Sequence, residues 1–218
     1  MEERPGLFVG RSMRPIVRDT ETLESYAAAH DIVLGVVAET PYVLFLLDLV
    51  EAPGGPGGRR IWPYQRVVSR AQLEGGVNVV VVATLEEAKL GPIGSVVLVE
   101  QERHATGAIE IELPRGFGEH GQDGPASALR ELHEETGFDG DRVEFLGSTY
   151  TDSGLTDSLA SFYHVSVVRR ATSKPESTEA INRVRLAAPD SIWREVAAGK
   201  IRDAFTVVGL SLLERHKG

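Results

Sequence analysis

The sequence predicts a mixed α+β protein, with a small strand-rich subdomain ahead of a larger domain. Three observations carry this. Short runs rich in Val, Leu and Ile recur along most of the chain, separated by Gly, Pro and acidic turns. Segments with helical signals are few and do not alternate regularly with the strand runs, so a repeating βαβ unit is excluded. A glycine-rich loop around Gly116 leads into a strongly signalled helix at residues 125–136. With 218 residues, the chain can bury a sizeable core.

In chain order, Asp19 or Thr20 can cap a short helix ending near His30. Residues 32–37 and 42–50 read as two strands. The Pro/Gly stretch at 52–60 reads as a mobile surface turn: it lacks the Gly-Lys-Ser/Thr ending and the following helix of a phosphate loop. Residues 61–69 read as a strand that Pro63 confines to an edge. The nearly continuous valine run at 77–83 reads as a buried strand, and 95–101, 108–113, 143–148 and 160–168 as further strands. Residues 171–179 are polar and read as a loop. Two helices close the chain, one at 191–198 capped by Asp190, one at 202–216. The expected division is 1–75, a strand-rich specificity or dimerisation element, and 76–218, the main domain.

Composition limits the function. The net charge of −9 argues against a partner held through a nucleic-acid backbone. With no cysteine, thiolate zinc sites and cysteine nucleophiles are excluded. The charged N-terminal residues lack an apolar run, and no stretch is long and apolar enough for a membrane span, so the cytoplasm is expected.

The helix at 125–136 carries the chemistry. Pro125 suits a first helical position, and Gly137 the position just past the end. At about 100° per residue, Glu134 and Glu135 flank Glu131, so the three carboxylates share one face. Ala128, Leu129 and Leu132 form the adjoining apolar face. Like charges at i, i+4 repel, and acids near a helix C-terminus oppose the macrodipole. A hard divalent cation such as Mg²⁺ or Mn²⁺ relieves both penalties.

From Gly116 onward, the loop and helix resemble the Nudix hydrolase signature, G-x5-E-x7-R-E-U-x-E-E-x-G-U, where U is apolar. Arg130, Glu131, Leu132, Glu134, Glu135, Gly137 and Phe138 match in place, and Gln122 stands where the family has glutamate. Gln101-x-Arg103, Glu112-x-Pro114-x-Gly116 and the segment from Gly199 to Ala204 are similar to the ADP-ribose pyrophosphatase branch. The resemblance implies a Nudix-type α/β/α sandwich with a mixed sheet. It implies Mg²⁺-dependent (Mn²⁺ as a substitute) hydrolysis of a nucleoside diphosphate derivative, first ADP-ribose. Metal ligands would be Glu131, Glu135, Glu134 and the Arg115 carbonyl. Arg103 would clamp the diphosphate, and Glu112 would contact substrate or organise the loop. Glu179, or Glu176 as second choice, would be the loop base. A homodimer built through the N-terminal strands is also implied. A second reading is a non-catalytic ADP-ribose sensor on the same fold, favoured by Gln122 and disfavoured by the retained glutamates.

Overall fold

The computed structural model describes residues 14–55, 58–118, 121–171 and 181–217. These fall into two compact units. One comprises residues up to Gly75 together with Tyr150–Ser158, the other Gly76–Thr149 with the remainder from Leu159.

The first unit holds helix α1 (Thr20–His30), strands β1 (Gly35–Glu39), β2 (Val43–Gly55) and β3 (Gly58–Ser69), and the one-turn helix α2 (Arg70–Leu73). Asp19 caps α1, its carboxylate accepting from Thr22 N. The three strands form an antiparallel sheet in the order β1-β2-β3, so Pro63 does lie on an edge strand. Ladder pairing runs through Ala52↔Arg60 to Gly55↔Gly58. Positions 56–57 lie outside the described residues; the described residues on either side of them are thus ladder-paired as the ends of β2 and β3. Leu44, Leu46 and Val68 form this unit's buried cluster.

The second unit is built on a seven-stranded mixed sheet. Its strands are β4 (Asn78–Leu85), β5 (Val96–Arg103), β6 (Ala108–Glu112), β7 (Arg115–Phe117), β8 (Phe138–Tyr150), β9 (Leu159–Arg170) and β10 (Ile181–Ala187). The main order is β10-β5-β4-β9-β8, with β6 on β5 and β7 on β4. β4 and β9 run parallel, with Asn78 opposite Ala160 and Leu85 opposite Val167. β4 is buried throughout, which explains its valine run.

Alternation along β4 sorts the core into two layers. Val80 and Val82 face a cluster with Leu113, Phe162, Ile192, Leu210 and Leu213, which brings helices α4 (Pro189–Ala197) and α5 (Ala204–Lys217) onto one face. Val79, Val81 and Ala83 face Ala128, Leu132, Phe138 and Val165, which brings α3 (Gly124–Thr136) onto the other. Helices on both faces of a mixed sheet make an α/β/α sandwich. Burying the fully enclosed Leu132 alone contributes roughly 1.5–3 kcal/mol.

Asp190 is not the cap of α4. Ala188 is the N-cap and makes no side-chain cap bond, and Pro189 occupies the first turn. Proline suits the first helical position, where its missing N–H is not needed and its φ is already helical, so the helix starts two residues earlier than expected.

Candidate active site

β4 positions the glycine loop. Its start pairs with β7, Val79 opposite Gly116 and Val80 opposite Arg115, whereas its far end pairs with β5 at Thr84↔Val96. β4 and β5 diverge, and β7 enters the gap. Val81 N donates to Pro114 O at 2.8 Å, and Gly118 N to Val77 O at 2.7 Å, which pins both ends of β7. A three-residue strand of Arg-Gly-Phe has no periodicity to read from sequence; the backbone pairing makes it.

Helix α3 starts with the Asp123 carboxylate accepting from Ala126 N at 2.8 Å. It ends at Gly137, whose φ of 70° is the left-handed conformation that glycine tolerates. Gly124 packs against Tyr163, where a Cβ would collide with the phenol ring. Ala128 and Leu132 anchor the helix on the sheet. The same buried side carries Glu131 and Glu135, each 3% exposed. Glu134 is turned outward and half-buried. The sequence places three acids on one face; the structure separates two buried ones from a third at the rim.

Gly116 lies directly against the Glu131 carboxylate, with no room for a side chain between them. Glu135 accepts from the Arg115 amide at 3.2 Å. Arg130 joins helix and loop. Its Nη2 donates to Glu131 and, at 2.9 Å, to Phe117 O; its Nη1 donates to Glu134. Burial opposes its charge, but Glu131 and Glu134 outweigh that and hold its pKa above the ordinary arginine value. Gln122 takes part as an acceptor: its amide oxygen receives Ser127 Oγ at 3.0 Å and Arg130 Nε at 3.4 Å. It keeps the hydrogen-bonding place of a glutamate with one negative charge fewer.

Among the described residues, no group of three acids or imidazoles is arranged to hold a metal ion. Arg130 occupies carboxylate oxygens of Glu131 and Glu134. The donor set nevertheless suits a hard cation: buried carboxylates beside backbone at Arg115, with glycine giving Glu131 close access.

Beside this helix lies a cleft of about 500 Å³. It is lined by Arg103, Glu110, Glu112, Arg115, Arg202 and Asp203, with Ala105, Thr106 and Ala204. Glu112 is 2% exposed. It receives Arg103 Nε at 3.0 Å on both oxygens and faces Arg115 Nη2 at 3.0 Å. Its carboxylate thus holds two arginines in place. The Glu112 hydrogen bond raises the Arg103 pKa; burial opposes this, and the charges of Glu112, Glu135 and Asp203 add to it. Arg115 Nη1 donates to Asp203 Oδ1 at 2.6 Å, and its guanidinium stacks over Phe205. Glu179 and Glu176 lie outside the described residues.

The sequence reading missed Asp203, Arg202 and Glu110 as cleft residues. Asp203 is 88 residues from Arg115, and Arg202 is 92 from Glu110. The similarity around residues 199–204 could have flagged Arg202 and Asp203; no signal in the sequence singled out Glu110.

The glycine loop, the acidic helix and the arginine-lined cleft meet at Arg115, whose amide donates to Glu135 and whose side chain lines the cleft. The NUDIX domain matches residues 76–205. The chain is 30% identical to the methanol dehydrogenase activator of Bacillus methanolicus over 142 residues, 62% of this chain and 71% of that protein. It is 34% identical to the ADP-sugar pyrophosphatase of Mus musculus over 110 residues, 48% of this chain and 50% of that one. It is 31% identical to the ADP-ribose pyrophosphatase of Saccharomyces cerevisiae over 102 residues, 47% of this chain and 43% of that one. The chain thus spans about half the length of the two pyrophosphatases. A solved structure described as an ADP compounds hydrolase superposes with a TM-score of 0.66 at 16% identity, covering 84% of this chain and 91% of that one, a likeness of fold. The chain belongs to the Nudix family.

Proposed function

We propose that the protein hydrolyses the pyrophosphate bond of ADP-ribose or a related nucleotide sugar, giving a nucleoside monophosphate and a sugar phosphate, with Mg²⁺ or Mn²⁺ as cofactor. One observation carries the reading. The arginine-lined cleft adjoins the acidic helix: Arg115, which lines the cleft, donates its amide to Glu135 at 3.2 Å. A diphosphate held by arginine then reaches the carboxylates where its bond is cut.

Glu131, Glu135 and Glu134, with the Arg115 carbonyl, would hold the metal; it would supply charge neutralisation at the pyrophosphate and a more acidic attacking water. Arg103 binds the diphosphate through its forked donors. Glu112 orients Arg103 by holding its Nε and Nη2. Arg130 balances the acidic face through Glu131 and Glu134 and holds the loop by the carbonyl of Phe117. Glu179 takes the proton from the attacking water, with Glu176 second choice. In-line substitution at phosphorus asks mainly for positioning and charge stabilisation, so no protein nucleophile is needed.

The first unit would specify substrate and form a homodimer. Its exposed apolar side chains Val33, Val37, Tyr42 and Phe45 support a contact with a second copy. Among the described residues no helix is long and apolar enough to cross a membrane; cytoplasmic residence is part of the proposal. A second reading, a non-catalytic sensor that regulates a partner, has two supports: Gln122 in the signature, and a relative described as an activator of another enzyme.

Replacing the helix acids tests the reading. Glu131→Gln and Glu135→Gln should each remove most metal-dependent turnover of ADP-ribose, on the order of 10²-fold or more, with an unchanged circular dichroism spectrum. Near-wild-type turnover in the double variant would overturn the assignment of the metal site.

A further inference from the structure

Three arginines line the cleft, and they are not equally committed. Arg103 is held by Glu112 through Nε and Nη2. Arg115 is held by Glu112, by Asp203 and by the ring of Phe205. Their side chains are 32% and 18% exposed. Arg202 is 61% exposed, and its Nη2 donates to Glu110 Oε1 at 2.7 Å.

The backbone under Arg202 is fixed on both sides. Ile201 is 2% exposed and belongs to the sheet core. Asp203 caps α5, accepting from Thr206 N at 2.8 Å and Thr206 Oγ1 at 2.7 Å, and it also receives Arg115. A solvent-facing guanidinium therefore stands on a rigid base at the cleft. Its ion pair is unlike an ordinary surface pair, in which both partners are exposed and mobile. Glu110 is 6% exposed on β6 and acts as a fixed tether. A guanidinium has five N–H donors in a planar fork. Glu110 engages Nη2, and the exposed remainder of the head has room for a second acceptor.

We propose that Arg202, tethered by Glu110, is a substrate-binding residue that takes an anionic oxygen of the bound nucleoside diphosphate derivative. The inference rests on the pyrophosphatase reading above. It adds a binding role for a residue in no part of the signature. Arg103 and Arg115 meet the ligand as a pair already organised by Glu112; Arg202 approaches from the segment that leads into α5.

The test compares wild type, Arg202→Ala and Arg202→Lys. The Kd for ADP-ribose is measured calorimetrically, KM and kcat with Mg²⁺, Mn²⁺ affinity by electron paramagnetic resonance, and Tm by calorimetry. A lost charge-assisted hydrogen bond should raise Kd and KM roughly tenfold or more in Arg202→Ala. Its kcat should stay within about threefold and its Mn²⁺ affinity should be unchanged, while Tm should fall by a few degrees because the buried Glu110 carboxylate loses the partner named above. Arg202→Lys keeps the charge but not the fork, and should fall between. Wild-type Kd and KM in Arg202→Ala would overturn the role of Arg202 alone. A reduced Tm in both variants with unchanged affinity would show a purely structural ion pair. Failure of the wild type to bind or hydrolyse any nucleoside diphosphate derivative would overturn the functional reading, and this inference with it.

Discussion

Replacing Gly116 by alanine should separate activity from stability. The Cβ of an alanine there would lie within 2.5 Å of all three atoms of the Glu131 carboxylate group. Ordinary contact begins at about 3.4 Å, so something must move by about 1 Å. Gly116 cannot move easily, because β7 is paired to β4 with Val79 opposite it. Glu131 can, because its carboxylate is the end of a flexible side chain. The cost to folding is then small, and Tm should fall by no more than about 2–4 °C, the equivalent of about 1 kcal/mol in a domain of this size. The cost to chemistry is larger, because a misplacement of about 1 Å in a reacting constellation costs on the order of 10²-fold. Steady-state kinetics with ADP-ribose and Mg²⁺, Mn²⁺ titration and calorimetry on the same preparations read the two effects apart. Wild-type kcat and Mn²⁺ affinity in Gly116→Ala would refute the placement of Glu131 at the metal. A collapse of Tm with the loss of activity would refute the claim that the side chain, and not the strand, yields.

The core and one ion pair give two further predictions. Leu132 is fully buried between α3 and the sheet. Leu132→Ala should destabilise the protein by about 2–5 kcal/mol in a denaturant titration; less than about 1 kcal/mol would mean that α3 is not packed as described. Arg185 on β10 holds Glu195 on α4 through both Nη atoms. That hydrogen bond, against opposing burial, lowers the Glu195 pKa below its ordinary 4.5. A lowered carboxylate pKa stabilises the folded state above the unfolded value, and the gain is lost as pH falls through the folded one. Glu195→Gln should therefore melt about 2–4 °C below wild type at neutral pH, for about 1 kcal/mol. The gap should close below about pH 4.5; a gap that persists there would exclude the ionic origin.

The signature helix was legible because its information is local. A cap at Asp123, an apolar pair at Ala128 and Leu132, and a glycine stop at Gly137 lie within one short stretch. The valine run of β4 was legible for the same reason. β10 was not: Arg183 and Arg185 interrupt its apolar residues, and only pairing with β5 and the contact to Glu195 explain them. The roles of Glu112 and Arg130 depend on who faces them. Glu112 was expected to contact substrate or organise the loop; its carboxylate is taken by Arg103 and Arg115, so under the proposed function it would act on a ligand through them. Charge and motif announce that acids are present, but partners far away in sequence decide which are buried, which are paired and which face the cleft.

The central claim is that the acidic helix and the arginine cleft together cut a diphosphate. Product analysis of ADP-ribose incubated with the protein tests it most directly. With Mg²⁺ or Mn²⁺, AMP and ribose 5-phosphate should appear in equal amounts, and chelation of the metal should stop their formation. Absence of a nucleoside monophosphate from ADP-ribose and from every other nucleotide sugar, with either metal, would contradict the account.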